Sequence, residues 1–233
     1  VSAMAADAAK KLKELFPAWK VDSKSCLGSP SWELVRTAEE VKADLIVVGS
    51  HGRSAMGRLI LGSVSHRVVT EAHCPVRIAR GRTNEEPSPV KIVLALDGSP
   101  GSEAVVESAS KRFWKSGAKA LLITACAAVS PTGVGRLIPP VTEMIREFNQ
   151  EERDSIQKMM DTAAQTLNEA GLSTATRIVE GDPKRLILQE AEAWQADCIF
   201  LGARGLSRLS RFLLGSVSTA VASRAHCSVE VVR

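Results

Sequence analysis

The sequence predicts an α/β fold with parallel strands, built twice over. Three observations predict it. Apolar runs of strand length alternate with segments of helical spacing along the chain, and such alternation implies a parallel sheet with right-handed crossovers. The stretch Asp197–Ser218 then sets a strand, a Gly-punctuated loop and a helix start in order: an apolar run to Gly202, then Ala203-Arg204-Gly205, nine residues from Leu206 to Leu214, then Gly215-Ser216-Val217-Ser218. A second copy runs from Asp44 through Gly49, Ser50, His51 and Gly52 to Gly62-Ser63-Val64-Ser65. The offset is 153 residues, it holds without a gap from Gly28 (Gly181) to Arg80 (Arg233), and 22 of the 53 aligned positions are identical. The chain carries a tandem duplication.

Taken in order, residues 1–16 are Ala-rich, with Met4, Ala8, Leu12, Leu15 and Phe16 on one helical stripe and Lys10, Lys11 and Lys13 off it. Pro17 stops that helix. Trp19 to Leu27 alternates weakly and reads as a strand. Gly28-Ser29-Pro30 is a turn, with Ser29 as N-cap and Pro30 at the first helical position of a helix to about Lys42. Leu45 to Val48 is continuously apolar, as in a strand covered on both faces. After the Gly loop come a helix at Val64–Glu71 and a short strand at Pro75–Ala79. Residues 81–89 hold Gly, Arg, Asn, Glu and two Pro, the composition of a linker.

The second half reads as a strand at Val90–Leu96 ending in Asp97-Gly98-Ser99-Pro100, a helix at Ser102–Lys115 and a strand at Ala120–Ala125. An irregular loop with three Pro fills 126–140, and a long helix runs from Val141 to about Ala170, ended by Gly171. A strand at Thr174–Val179 precedes Gly181-Asp182-Pro183, which repeats the cap and Pro start. Leu186, Ile187 and Trp194 give the next helix its buried face. A fourth strand, the Gly loop, a fourth helix and a strand at Val229–Val232 complete the half. Residue 1 aligns with Asp154, so residues 90–153 have no counterpart in the first repeat. The sequence therefore predicts a first domain at 1–80 that is N-terminally incomplete, a linker at 81–89 and a complete second domain at 90–233.

Composition narrows the function. The net charge of +4 is mild and no Lys/Arg run forms an arm, so nucleic acid is not an expected partner. No apolar stretch has the length of a membrane helix and no signal peptide is visible, so no membrane partner is expected either. Five Cys without a Cys-x-x-Cys fit reduced thiols and a cytoplasmic setting. Cys74 and Cys227 match in the repeat and read as small buried residues before an edge strand. No His/Cys/Asp spacing makes a zinc site, so no metal site is assigned. Gly-x4-Gly-Lys-Ser/Thr is absent, which excludes a P-loop.

The loops carry the chemistry. At the helix start Gly215–Ser218 the first N–H groups lack intrahelical partners and the helix dipole adds positive charge, which makes a phosphate seat. Ser216 and Ser218 can cap that end or contact the anion. Gly202 and Gly205 allow close backbone approach to a ligand or a positive φ. The first loop (Gly49, Gly52, Gly62, Ser63, Val64, Ser65) is a second, weaker seat. The competing role for each loop is an ordinary strand-to-helix connection with a Ser cap.

The pattern Gly-x2-Gly-x9-Gly-Ser after Asp-Leu-Ile-Val-Val-Gly, together with Asp97-Gly98-Ser99 and the Gly-Asp-Pro at 181–183, resembles the universal stress protein family over essentially the whole chain. The resemblance implies two flavodoxin-like (Rossmann-like) domains, each with a parallel five-stranded sheet in the order 3-2-1-4-5. It places the reversal of strand order beside the strand ending at Leu96, so that Asp97 and the Gly202 loop converge. It further implies ATP as ligand, with Mg2+ as an optional companion, and a nucleotide-responsive role in stress response.

On that resemblance Asp97 accepts hydrogen bonds from the nucleotide's sugar or base edge; as a rival role it caps the helix after Pro100. Ala95 and Ala125 leave room for adenine, or simply fill the core. Gly202, Gly205, Gly215, Ser216, Val217 and Ser218 cradle phosphate. Arg204 and Arg208 can neutralise it, and Arg53 and Arg58 hold related places in the first loop, with solvated loop charges the alternative for all four; His51 can touch a phosphate there, and with Arg204 at its matching place it is not read as a metal ligand. No catalytic residue is assigned, because no general base is visible, and any ATP hydrolysis is expected to be slow. A scaffold of the same fold that binds no nucleotide is the main rival. A nucleotide-using transferase is a third, though only Ser-Pro-Gly-Ser stands where its Gly-rich loop belongs.

The last strands of the two repeats are apolar at Val76, Ile78, Val229 and Val231 and follow matching His-Cys dipeptides. In the family such strands pair, within dimers or between tandem domains. The sequence predicts their antiparallel pairing inside one chain. A homodimer and an unidentified protein partner remain further expectations.

Overall fold

A computed structural model describes residues 2–51, 61–80, 88–126, 139–206 and 214–233. Two helices open the chain, α1 at Ser2–Leu15 and α2 at Pro30–Glu40, followed by β1 at Ile46–Gly49, α3 at Ser63–Glu71 and β2 at Val76–Ala79. The second half comprises β3 at Lys91–Ala95, α4 at Pro100–Ser110, β4 at Lys119–Cys126, α5 at Pro139–Glu169 and β5 at Ser173–Glu180. It ends with α6 at Pro183–Ala193, β6 at Cys198–Gly202, α7 at Ser216–Arg224 and β7 at Ser228–Val232. Among the described residues no helix is long and apolar enough to cross a membrane.

All seven strands form one sheet in the order β1-β2-β7-β6-β3-β4-β5. The strands after residue 90 stand as β5-β4-β3-β6-β7, which is the 3-2-1-4-5 order of a flavodoxin-like sheet. Neighbours run parallel except at the seam, where β2 and β7 pair antiparallel with Val76 opposite Val231, Arg77 opposite Glu230 and Ile78 opposite Val229. The antiparallel pairing expected from the two edges is present within the chain.

Two apolar layers clamp this sheet. On one face Ile46, Val76, Ile78, Val229, Val231, Ile199 and Val93 meet Val68 and Val69 of α3, Ile187 of α6 and Val221 of α7. That layer runs unbroken across the seam. On the other face Ile92, Leu94, Leu122 and Phe200 pack under Val105 of α4 and Met160 and Leu167 of α5. Strands buried on both faces read as continuous apolar runs, which is why β3 and β6 are so apolar.

Three sequence expectations fail here. Trp19 to Leu27 forms no strand. Among the described residues its weak alternation has no neighbouring strand to bond with, and a strand persists only through its ladder. Trp19 instead stacks on Phe16, ring centroids 4.4 Å apart. β1 is also not covered on both faces, since Val47 is 59% exposed. No helix among the described residues packs over that side of β1. The helix expected at 102–115 starts earlier and ends sooner, because Ser99 caps it ahead of Pro100 and Lys111 closes it.

Glu230 is wholly buried and ion-paired. Arg77 donates to its Oε2 from the facing strand at 2.8 Å, and Arg112, which follows α4, donates to both of its oxygens. Both guanidinium groups also lie over the Phe200 ring, at 5.7 Å and 5.0 Å from its centroid. A buried charge is tolerated when paired and hydrogen-bonded in this way.

Candidate functional site

The chain leaves β3 and β6 in opposite directions. β3 feeds α4 on one face of the sheet and β6 feeds α7 on the other. The two strands are parallel neighbours, with Ala95 opposite Leu201. A crevice opens beyond their carboxyl ends, the position where such sheets bind ligands.

Asp97 stands at one lip. Its Oδ1 accepts from the Ser99 amide at 3.1 Å and from the Ser102 hydroxyl at 2.6 Å, while Ser102 Oγ accepts from the Asp97 amide at 2.8 Å. Gly98 turns the chain with φ +75, a conformation that suits glycine. The cap of α4 is Ser99, whose Oγ accepts from the Ser102 amide. Asp97 thus orients the turn without being the cap itself. Among the described residues its Oδ2 accepts no hydrogen bond, and it points at Gly205.

The opposite lip is the second Gly loop. A Cβ built on Gly205 would overlap Asp97 Oδ2. One on Gly101 would lie 2.6 Å from the Arg204 carbonyl, and one on Gly202 would lie 3.1 Å from both that carbonyl and the Gly101 backbone. These glycines are needed for close packing between the two lips. Gly202, Gly205 and Gly215 are absent from the positive-φ positions, so the alternative reading of a positive φ there does not hold.

The loop is closed by two bonds that recur in both repeats. The Gly215 amide donates to the Ala203 carbonyl and the Gly62 amide to the Ser50 carbonyl. Ser218 Oγ donates to the Gly202 carbonyl and Ser65 Oγ to the Gly49 carbonyl, each at 2.7 Å. Ser218 and Ser65 are therefore buried ties between helix and strand end, their hydroxyl protons already committed. Ser216 is exposed. The first intrahelical bond of α7 runs from Thr219 to Gly215, so the amides of Ser216, Val217 and Ser218 precede it and face the crevice free of helical partners.

A cavity of about 310 Å3 lies between the lips. Ala95, Asp97, Ala125, Gly202, Arg204, Gly205, Gly215, Ser216, Val217 and Ser218 all line it. Ser102, Leu96, Ile123, Ile187 and Leu201 join them, and sequence reasoning did not single them out for the site. The signal for Ser102 was its place five residues after Asp97, within reach across one helical turn. Arg204 is exposed at the rim. Nearby, burial and then the neighbouring Arg204 charge lower the Arg233 guanidinium.

The first repeat is arranged differently. Gly49, Gly62, Ser63, Val64 and Ser65 form the same strand-to-helix turn, but among the described residues no acidic side chain bonds to it, whereas Asp97 Oδ2 points at Gly205 of the second. Gly52, Arg53, Arg58 and Arg208 lie outside the described residues. His51 bonds Ser50 Oγ through Nδ1 at 2.9 Å and lines a separate cavity of about 1410 Å3. That larger space opens along the amino ends of β3 and β6, beside Val90 and Asp197, and receives none of the ten residues above. The smaller cavity is the better candidate, since its described lining combines the strand carboxyl ends, a helix start and the free Asp97 carboxylate oxygen. Among the described residues no His/Cys/Asp/Glu group is placed to hold a metal ion.

The profile of the universal stress protein family matches residues 2–80 and 90–233. Over 234 aligned positions the chain is 28% identical to the universal stress protein Rv2005c of Mycobacterium tuberculosis, covering 98% of this chain and 75% of that one. Identity reaches 42% over 76 residues with the universal stress protein MJ0531 of Methanocaldococcus jannaschii, which is 32% of this chain and 45% of the relative. Among solved structures, a universal stress protein from Archaeoglobus fulgidus superposes with a TM-score of 0.62 at 22% identity, over 100% of this chain and 80% of that one.

Proposed function

The chain belongs to the universal stress protein family, and on that premise we propose that it binds an adenine nucleotide, ATP, in the cavity between the ends of β3 and β6. The observation that carries this reading is the convergence of Asp97 and the Gly202–Ser218 loop on one cavity. The free Asp97 Oδ2 is an acceptor for sugar hydroxyls. The amides that open α7 suit a phosphate, and the exposed Ser216 hydroxyl adds a donor. Arg204 supplies neutralising charge from the rim. Ala95 and Ala125 keep the wall shallow enough for a planar base. The volume lies at the low end for small-molecule sites. Mg2+ would enter with the phosphates.

The reading describes a binding protein whose state follows nucleotide occupancy, and it assigns no catalytic residue. Calorimetric titration of the chain with ATP tests it. One saturable site is expected, lost on Asp97→Ala. Flat titrations at millimolar ATP overturn it and leave the scaffold reading, in which a protein partner docks whatever the nucleotide supply. The loop at Gly49–Ser65 is assigned at most an anion seat. Phosphate protection of the Gly62 and Ser63 amides from hydrogen exchange is the corresponding measurement.

A further inference from the structure

β2 and β7 are near-copies that differ in one decisive place. Val76-Arg77-Ile78-Ala79 aligns with Val229-Glu230-Val231-Val232, apolar in both except at the second position, where the charge changes sign. The register sets Arg77 directly opposite Glu230, so the pseudo-twofold axis of the seam passes between these two residues. Contacts beside the axis are reciprocal. Arg233 donates to the Val69 and Thr70 carbonyls at the end of α3, and Arg80 donates to the Ser223 carbonyl at the matching place in α7. The two edges thus share contacts about the axis, while the charge each brings to the axis has the opposite sign, and Ser228 bonds the Arg80 backbone where the matching Pro75 has no hydroxyl.

We propose that this charge reversal makes the β7 edge selective: it accepts a strand that presents a cation opposite Glu230 and rejects a second β7. In a symmetric pairing of two β7 strands at this register, Glu230 would face Glu230, with Val229 facing Val231. Directly opposed side chains in an antiparallel pair stand about 4.5–5.5 Å apart at Cβ, and like charges there repel. Arg112 belongs to the same half as Glu230 and would follow it into any pairing. What changes is the group across the seam, where a charge-assisted donor is replaced by a second carboxylate facing the wholly buried Glu230. Two β2 strands would oppose Arg77 to Arg77 in the same way. Pairing within the chain, or with a strand of another protein that carries a basic residue at this position, is favoured over dimerisation through like edges.

The test uses the full chain carrying Arg112→Gln throughout, so that Arg112 favours neither sign. In this background Arg77→Glu makes both edges acidic and Glu230→Arg makes both basic. Each variant alone is expected to stay at the 24.9 kDa of one chain in sedimentation velocity, but with a larger radius of gyration than the background protein. An equimolar mixture is expected to double in mass, because each acidic edge then finds a basic one in the other chain. Dimerisation of either variant alone overturns the proposal. So does a mixture that stays monomeric while circular dichroism shows both chains folded. Should a reversal unfold the chain, Arg77→Lys and Arg77→Gln decide. Lys is expected to keep the radius of the parent and Gln to enlarge it, and equal radii for the two overturn the proposal.

Discussion

Asp97 and Gly205 meet across the candidate cleft so closely that any β-carbon at residue 205 would displace the Asp97 Oδ2 oxygen. The glycine keeps open the one carboxylate oxygen that no described group engages. Gly205→Ala is therefore expected to turn Asp97 away and weaken ATP binding by roughly tenfold to a hundredfold, the loss of a hydrogen bond to a charged group. Calorimetry checks the affinity and a thermal melt checks that the fold is unchanged. Undiminished affinity with an intact fold would remove Asp97 from the binding role.

Ser102 is buried and closes the ring with Asp97. Ser102→Ala leaves the Asp97 amide and Oδ1 short of a partner and is expected to cost about 1–3 kcal/mol. Urea denaturation measures it. Gly101→Ala should cost a similar amount, about 1–3 kcal/mol, through overpacking, because its β-carbon would sit 2.6 Å from the Arg204 carbonyl.

At the seam the order of effects discriminates between partners. Arg112→Ala leaves the fully buried Glu230 carboxylate with Arg77 alone, and about 2–3 kcal/mol should be lost, the value of hydrogen bonds to a charged group. Glu230→Leu leaves no buried charge, and Arg77 and Arg112 keep 30% and 26% of their side-chain surface in water. It should therefore cost less than Arg112→Ala. Midpoints in guanidinium chloride for the two variants give the order, and the reverse order would show that the carboxylate holds the seam.

Burial pushes the Cys198 thiol up to about 12 and the Cys227 thiol up to about 11, from an ordinary 9.0. Both thiols thus hold their protons in the folded chain at pH values where the unfolded chain has released them. Their contribution to stability is complete below pH 9 and declines as pH rises from there through about 11 and 12. The melting temperature should fall across that window, and Cys198→Ala together with Cys227→Ala should flatten the decline. Iodoacetamide at pH 8 should leave both thiols unmodified in the folded chain and label them after denaturation.

Much of the candidate cleft's lining was legible in the sequence. The Gly202–Ser218 loop and Asp97 were found because each follows a buried apolar strand and because the loop occurs twice. Ala95 and Ala125, small residues at strand ends, entered the candidate site through the family resemblance. Ser102 was missed because its role depends on a helical turn folding back on Asp97. Ser65 and Ser218 carried the right signal for an N-terminal hydroxyl, but their burial against the Gly49 and Gly202 carbonyls is a property of the packed turn.

The sequence by itself determined the duplication, the α/β class, the Gly-Ser helix starts and the apolar edges that pair, since all of these are periodic or local patterns. Only the tertiary structure decided that Trp19–Leu27 forms no strand, because a strand exists through a neighbour's ladder. Only the structure decided that Gly101, Gly202 and Gly205 serve contact between the protein's own lips, since close approach is a relation between distant segments. Nothing along the chain singles out Arg77 or Glu230 from its other charges. Their opposition became meaningful once antiparallel register set one against the other, where burial turns a change of sign into a choice of partner.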